Sequence, residues 1–209
     1  AKKLRILLDP MFGVSRTSLQ TILLTCRCDV DVINDRHDAL FGGRLPSPSA
    51  KTLTRLSSMV VEGGYDLGIA TDGDADRIGL IDSEGVFIHP NDILVLLYYY
   101  LVKYKGWKGD CVRNLATTHL LDRLAKSFGC TCWEVPVGFK WISSKMDETG
   151  AIIGGESSGG LTVKGHIAGK DGIYAAALLV EMVSVIGKPL NTILREIKEE
   201  YGRCEMSEF

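Results

Sequence analysis

The sequence predicts an α/β protein built as two consecutive α/β/α domains with mixed, largely parallel sheets. Short apolar runs alternate with segments of helical period from the start of the chain, the pattern of a parallel sheet covered by helices. Near residue 85 a hairpin-like stretch interrupts that alternation, which then begins again. A length of 209 residues accommodates two modest domains, and a composition of 45% apolar and 24% charged residues is that of a globular chain.

Leu4 to Leu8 (LRILL) reads as the first strand, ending at Asp9-Pro10. Ser15 stands where a cap is expected for a helix whose Leu19, Ile22, Leu23 and Cys26 recur at helical spacing. Val30 to Ile33 is the second strand. After the loop FGGRLPSPSA, Leu53, Leu56, Met59 and Val60 mark a helix stopped by Gly63-Gly64, and Leu67 to Ala70 (LGIA) forms the third strand. Ile78 to Ile81 and Val86 to Ile88 flank Ser83-Glu84-Gly85 as a hairpin, and Pro90-Asn91-Asp92 opens an apolar helix through Tyr104. CVRNLA, a helix over 118–128, TCWEV, a helix over 139–146 and AIIGG repeat the alternation. Helices over 171–186, stopped by Gly187-Lys188-Pro189, and over 191–201 close the chain. The domain boundary is expected between residues 83 and 92.

A net charge of −2, from 24 basic and 26 acidic residues, argues against a nucleic-acid partner, which needs a strong positive field. The longest apolar run, Ile93 to Val102, has about half the length of a bilayer span, and no basic-then-apolar signal opens the chain. No membrane partner and a cytoplasmic location are therefore expected. Cys26-x-Cys28 and Cys130-x-Cys132 lack the two-residue spacer of structural zinc sites and read as reduced, packed thiols. With no Met at position 1 and a strand starting almost at once, the chain is expected to be a piece of a longer protein.

The stretch ATDGDADRIGLID (70–82) places Asp72, Asp74 and Asp76 between two apolar segments. Three like charges at alternate positions repel unless a cation joins them. A hard divalent ion takes oxygen ligands, and Gly73 and Ala75 are small enough to let the backbone curl toward it. An EF-hand loop is excluded, because its Gly and Glu positions hold Arg77 and Ser83. Asp72-Gly73-Asp74 also fits an aspartyl-phosphate phosphatase, although Asp76 stands where that class usually has Thr or Val. Arg77 reads either as a structural counter-ion or as a holder of phosphate oxygen beside the metal.

The second glycine-rich stretch, GGESSGG (154–160), fits G-x-S-x-G, but no acid lies between Gly159 and His166 to complete a serine-hydrolase order. A phosphate loop fails as well, because Gly154 and Gly159 are followed by Gly160 where Lys is required, and Gly165 to Lys170 is one residue short. What remains is a carboxylate and hydroxyls on a thin backbone, suited to adjacent hydroxyls of a sugar.

Taken together, TDGDADR (71–77), VGFKWI (137–142), GGESSGG (154–160) and GHIAGKDG (165–172) resemble the α-D-phosphohexomutases, the phosphoglucomutase and phosphomannomutase family, and LRILLDPMFGV (4–14) is similar to the start of the family's second domain. The resemblance covers nearly the whole chain, with residues 1–85 as domain II and 86–209 as domain III. Family members have four domains around one cleft, so domains I and IV, which carry the phosphorylated serine and the grip on the distal phosphate, are implied as missing partners. The resemblance implies Mg²⁺ on Asp72, Asp74 and Asp76, with the phosphoserine as a further ligand. It implies Arg77 beside the phosphoryl group, Lys140 as acid/base or charge stabiliser, Glu156 and Ser158 on ring hydroxyls, and His166 and Lys170 as phosphate or metal-site support. Ser157 and Gly169 depart from the acidic residues that the family often carries at those positions.

The implied activity interconverts hexose 1-phosphate and hexose 6-phosphate through the phosphoserine and a bisphosphate sugar, and the isolated chain is expected to be inactive with weakened metal binding. A Mg²⁺-dependent phosphatase and a non-catalytic metal- or sugar-binding module remain as alternative readings.

Overall fold

The structure, a computed structural model, describes residues 3–202 and 204. It divides into two compact units, residues 1–89 with 171–190 and residues 90–170 with 191–209.

In the first unit, β1 (Arg5–Asp9), α1 (Ser15–Thr25), β2 (Asp29–Val32), α2 (Thr54–Gly63), β3 (Leu67–Thr71), β4 (Ile78–Asp82) and β5 (Phe87–Ile88) build a sheet in the order β2-β1-β3-β4-β5. β1 pairs parallel with β2 and β3, while β3-β4 and β4-β5 are antiparallel. Strand side chains alternate between faces. Leu7 and Ala70 therefore point toward Leu53, Leu56 and Val60 around α2, in one core with Met11 and Ile81. α2 ends as its sequence predicts, with Gly64 left-handed at φ 63°.

The second unit begins with α3 (Pro90–Lys103), followed by β6 (Cys111–Asn114), α4 (Leu120–Ser127), β7 (Cys132–Val135), α5 (Phe139–Thr149), β8 (Ile153–Gly155) and β9 (Leu161–Val163). Its sheet runs β7-β6-β8-β9, parallel except for the antiparallel β8-β9 pair. Val112, Val135, Ile142, Met146 and Ala151 form the core beneath α5. Gly154 and Gly155 belong to β8 itself. A methyl on Gly154 would meet Ile142 at 2.6 Å and one on Gly155 would meet Leu94 at 2.9 Å, so the glycine pair lets α5 and α3 approach the sheet from its two faces. α7 (Leu190–Tyr201) closes this unit, with Lys198 donating to Asp92 at 3.0 Å.

One helix lies beyond the cut at residue 85 yet joins the first compact unit: α6 (Gly172–Ile186) packs against α1, β3 and β4. Its mostly apolar sequence completes the layer beside α1, and Asp171 caps it by accepting from the amides of Ile173 and Tyr174. Ser15 is no cap: the helix starts after Val14, and the buried Ser15 hydroxyl shares a 2.7 Å hydrogen bond with Thr71. β9 is not anticipated from the sequence, because three residues are too short to display an alternation. Among the described residues no single helix is long and apolar enough to cross a membrane.

Candidate functional site

Each unit presents one polar loop at the carboxyl end of its central strands, the edge where open α/β sheets hold ligands. In the first unit this loop is the turn between β3 and β4. The Asp72 amide donates to the Arg77 carbonyl at 3.3 Å, and Ala75 N–H donates to the Asp72 carbonyl at 3.1 Å. Ala75, at φ 64°, takes the left-handed conformation that a non-glycine residue adopts at a cost of about 1–2 kcal/mol.

Neighbouring backbone enforces that bend. Val14 N–H donates to the Gly73 carbonyl at 3.1 Å, Gly73 N–H donates to the Pro46 carbonyl at 3.3 Å, and Gly172 N–H donates to the Ala75 carbonyl at 3.0 Å. Gly13 and Gly172 carry no side chain because a methyl would stand 2.5 Å from the Gly73 oxygen and 2.9 Å from the Arg77 oxygen respectively.

The consequence is convergence of the three aspartates. One carboxylate oxygen each from Asp72, Asp74 and Asp76 lies within 4.8 Å of the others. Oxygen ligands on one Mg²⁺ or Ca²⁺ ion sit about 2.0–2.6 Å from it, so they lie at most about twice that apart. The spacing and the all-oxygen donor set therefore fit a hard divalent cation. Asp72 is buried, Asp76 half-buried and Asp74 exposed. Burial pushes the Asp72 carboxyl above the ordinary aspartate range; the Arg77 amide opposes this, and Asp76 and Asp74 add to it. Arg77 supplies the local counter-charge through Nε, 2.8 Å from Asp72 and 3.4 Å from Asp76. Its guanidinium is partly exposed, so both roles read from the sequence are compatible with this geometry.

The second loop joins β8 to β9. Glu156 N–H donates to the Gly160 carbonyl at 2.9 Å and Gly159 N–H donates to the Glu156 carbonyl at 3.1 Å. The Glu156 carboxylate accepts from Asn114 Nδ2 at 3.1 Å and from the Gly138 amide at 3.0 Å through one oxygen, Oε1. Ser158 is exposed at the turn. Lys140, exposed in the first turn of α5, rests its ammonium 4.9 Å from the Trp141 ring centroid. The stem of Lys170 lies over Gly160, where a methyl would be 2.3 Å from its Cδ. His166 is placed differently: it lines a cleft of about 220 Å³ with Ser143, Asp147, Thr162 and Lys164.

Sequence reasoning missed Asn114, which also accepts from the Ala116 amide and the Thr117 hydroxyl through Oδ1. It equally missed Gly13 and Gly172 as braces of the carboxylate loop. A polar residue at the carboxyl end of a strand, as Asp9 is in β1 and Asn114 in β6, was the available signal for Asn114.

Two α/β/α units thus end their third strands in acidic loops, one with three converging carboxylates and the other with a carboxylate held by hydrogen bonds. Residues 1–85 match the family model of phosphoglucomutase/phosphomannomutase α/β/α domain II, and residues 89–201 match that of domain III. The chain belongs to the phosphoglucomutase/phosphomannomutase family. It is 31% identical over 208 residues to phosphoglucomutase 1 of Drosophila melanogaster, covering 97% of this chain and 37% of that protein. To a phosphoglucomutase/phosphomannomutase of Thermococcus kodakarensis it is 31% identical over 196 residues, covering 94% and 43%. A structure from Thermus thermophilus, solved as a phosphomannomutase, superposes with a TM-score of 0.88 at 34% identity, covering 95% of this chain and 46% of that one. The chain thus spans about two fifths of the length of the curated relatives it matches.

Proposed function

We propose that this chain is the middle of a phosphohexomutase that interconverts hexose 1-phosphate and hexose 6-phosphate, working through a phosphoserine and a bisphosphorylated sugar. The observation that carries the reading is the convergence of Asp72, Asp74 and Asp76 within a domain II sequence. Mg²⁺ held by these three carboxylates would supply a divalent charge against the phosphoryl group in transfer.

The chain's own residues do the remainder. Arg77 turns donors from Asp72 and Asp76 toward phosphoryl oxygens, as a guanidinium fork is shaped to do. Lys140 moves onto the reacting hydroxyl, taking or giving its proton and offsetting charge as the phosphoryl group leaves. Glu156 and Ser158 accept and donate hydrogen bonds with two ring hydroxyls, a contact indifferent to which end of the sugar carries phosphate. His166 and Lys170 support the phosphate. Domain I contributes the phosphoserine and domain IV the grip on the distal phosphate, in a cytoplasmic enzyme. Alone, the chain completes no turnover.

A protein that supplies the flanking domains should isomerise glucose 1-phosphate, and Asp74→Ala or Lys140→Ala should each lower kcat by about a hundredfold, as loss of a positioned charge or proton-transfer group does. Unchanged kcat in Lys140→Ala would reject its role. Release of phosphate from a generic ester by the 209-residue chain alone, abolished in Asp72→Asn, would replace the mutase reading with a phosphatase. Calorimetric titration of the chain with Mg²⁺ should show weak binding, because three carboxylates without a phosphoserine leave the coordination incomplete.

A further inference from the structure

The loop that flanks the carboxylates also borders a second concavity, where Arg44, Lys51 and Arg55 gather with Thr52, Thr54 and Ser58 around a groove of about 670 Å³. No carboxylate lines it. Among the described residues, the side chains of Arg44 and Lys51 make no hydrogen bond or ion pair, and Arg55 has a single long contact of 3.4 Å to Asn34 Oδ1. Asp9 is the acid that feels Arg55 and Arg44, yet it is buried and already accepts from Asn34 and the Met11 amide. α2 begins here with no acidic residue in its first turn, so the helix end adds positive potential to that of the three cations. Three exposed cations with a buried, already hydrogen-bonded carboxylate as their acidic neighbour leave positive potential at this surface.

We propose that this groove binds a phosphate-class oxyanion carried by a small phosphorylated molecule. Two guanidinium forks, one ammonium and the exposed Ser58 hydroxyl offer more donors than a carboxylate can accept, whereas a phosphate presents several oxygens. A nucleic-acid backbone is disfavoured, since the chain's net charge is −2. The groove shares no lining residue with the concavity at the metal loop, formed by Phe41, Leu45, Pro46, Ser47, Asp72, Gly73, Asp74 and Arg77. Its lining is thus distinct from that of the metal loop, although Arg44 adjoins Leu45 in the chain, and the proposal does not depend on the mutase reading.

The test is titration of the ¹⁵N-labelled chain with inorganic phosphate in the absence of Mg²⁺. Saturable amide shifts confined to residues 44–58 are expected, with affinity falling as salt rises. Arg44→Gln combined with Lys51→Gln should weaken binding at least tenfold, and Lys108→Gln, at an exposed position outside the groove, should leave it unchanged. Lys51→Gln alone, at an exposed position, keeps the test valid if the double variant does not fold. Shifts centred on residues 72–77 or 138–170, a double variant that binds as tightly as the parent, or no saturable shift would each overturn the site. Sedimentation with phosphatidylserine vesicles without any response to free phosphate would overturn the small-ligand assignment.

Discussion

In the first unit β1 lies between β2 and β3, with β4 added antiparallel beyond β3; in the second, β6 lies between β7 and β8, with β9 added antiparallel beyond β8. Asp72 and Glu156 therefore occupy the same place, each the first residue after the last parallel strand. Their surroundings differ. Asp72 sits in a turn braced by backbone from three segments, at Val14, Pro46 and Gly172. Glu156 is held by one side chain and one amide, with the long stem of Lys170 across the turn. Gathering three mutually repelling carboxylates needs enforced geometry, whereas a loop with a single carboxylate needs less; one topology serves both because the support lies outside the shared strands.

The largest expected effect separates the loops by their metal. Asp74→Ala should raise the dissociation constant for Mn²⁺ or Mg²⁺ by at least about tenfold, ~1.4 kcal/mol, in a calorimetric or paramagnetic titration, while Glu156→Gln leaves it unchanged. Equal loss in both variants would end the division of labour. Next, Gly13→Ala drives a methyl onto the Gly73 carbonyl and should cost about 1–3 kcal/mol, seen as a lower Tm together with weaker metal binding. Gly160→Ala meets only the movable Lys170 stem and should cost less than about 1 kcal/mol.

Asn114→Ala removes one of the two donors to the Glu156 carboxylate, leaving the Gly138 amide, and strips the Ala116 amide of its acceptor, for a loss of about 1–3 kcal/mol in denaturant unfolding with metal affinity intact. The smallest effect concerns Asp9, which closes β1 as Asn114 closes β6. Burial raises the Asp9 carboxyl above 3.8 despite the Asn34 bond. The folded chain then keeps that proton to higher pH than the unfolded chain does, so this group's contribution to stability falls as pH rises from 3.8 through the raised value. Asp9→Asn should flatten that segment of the Tm–pH profile, and an unchanged slope would assign it to another acid.

Much of this was legible in the residues. Apolar runs such as LRILL and LGIA, and Gly64 after its helix, announced elements that formed within a residue or two of their expected limits. The carboxylate loop was legible too, because three aspartates at alternate positions present an electrostatic problem with few solutions. The three-residue β9 was not, since pairing with β8 rather than its own pattern makes it a strand.

By itself the sequence determined the α/β class, the order of elements apart from β9 and the donor set of the carboxylate loop, all of which depend on residues close together in the chain. Tertiary structure decided that α6 joins the first unit, that Ser15 bonds Thr71 across 56 positions, and that Gly172 braces the Ala75 turn. It also decided that Asn114, 42 positions away, holds Glu156. These pairings arise when apolar faces find their partners, and local periodicity says which face is apolar without saying which partner covers it.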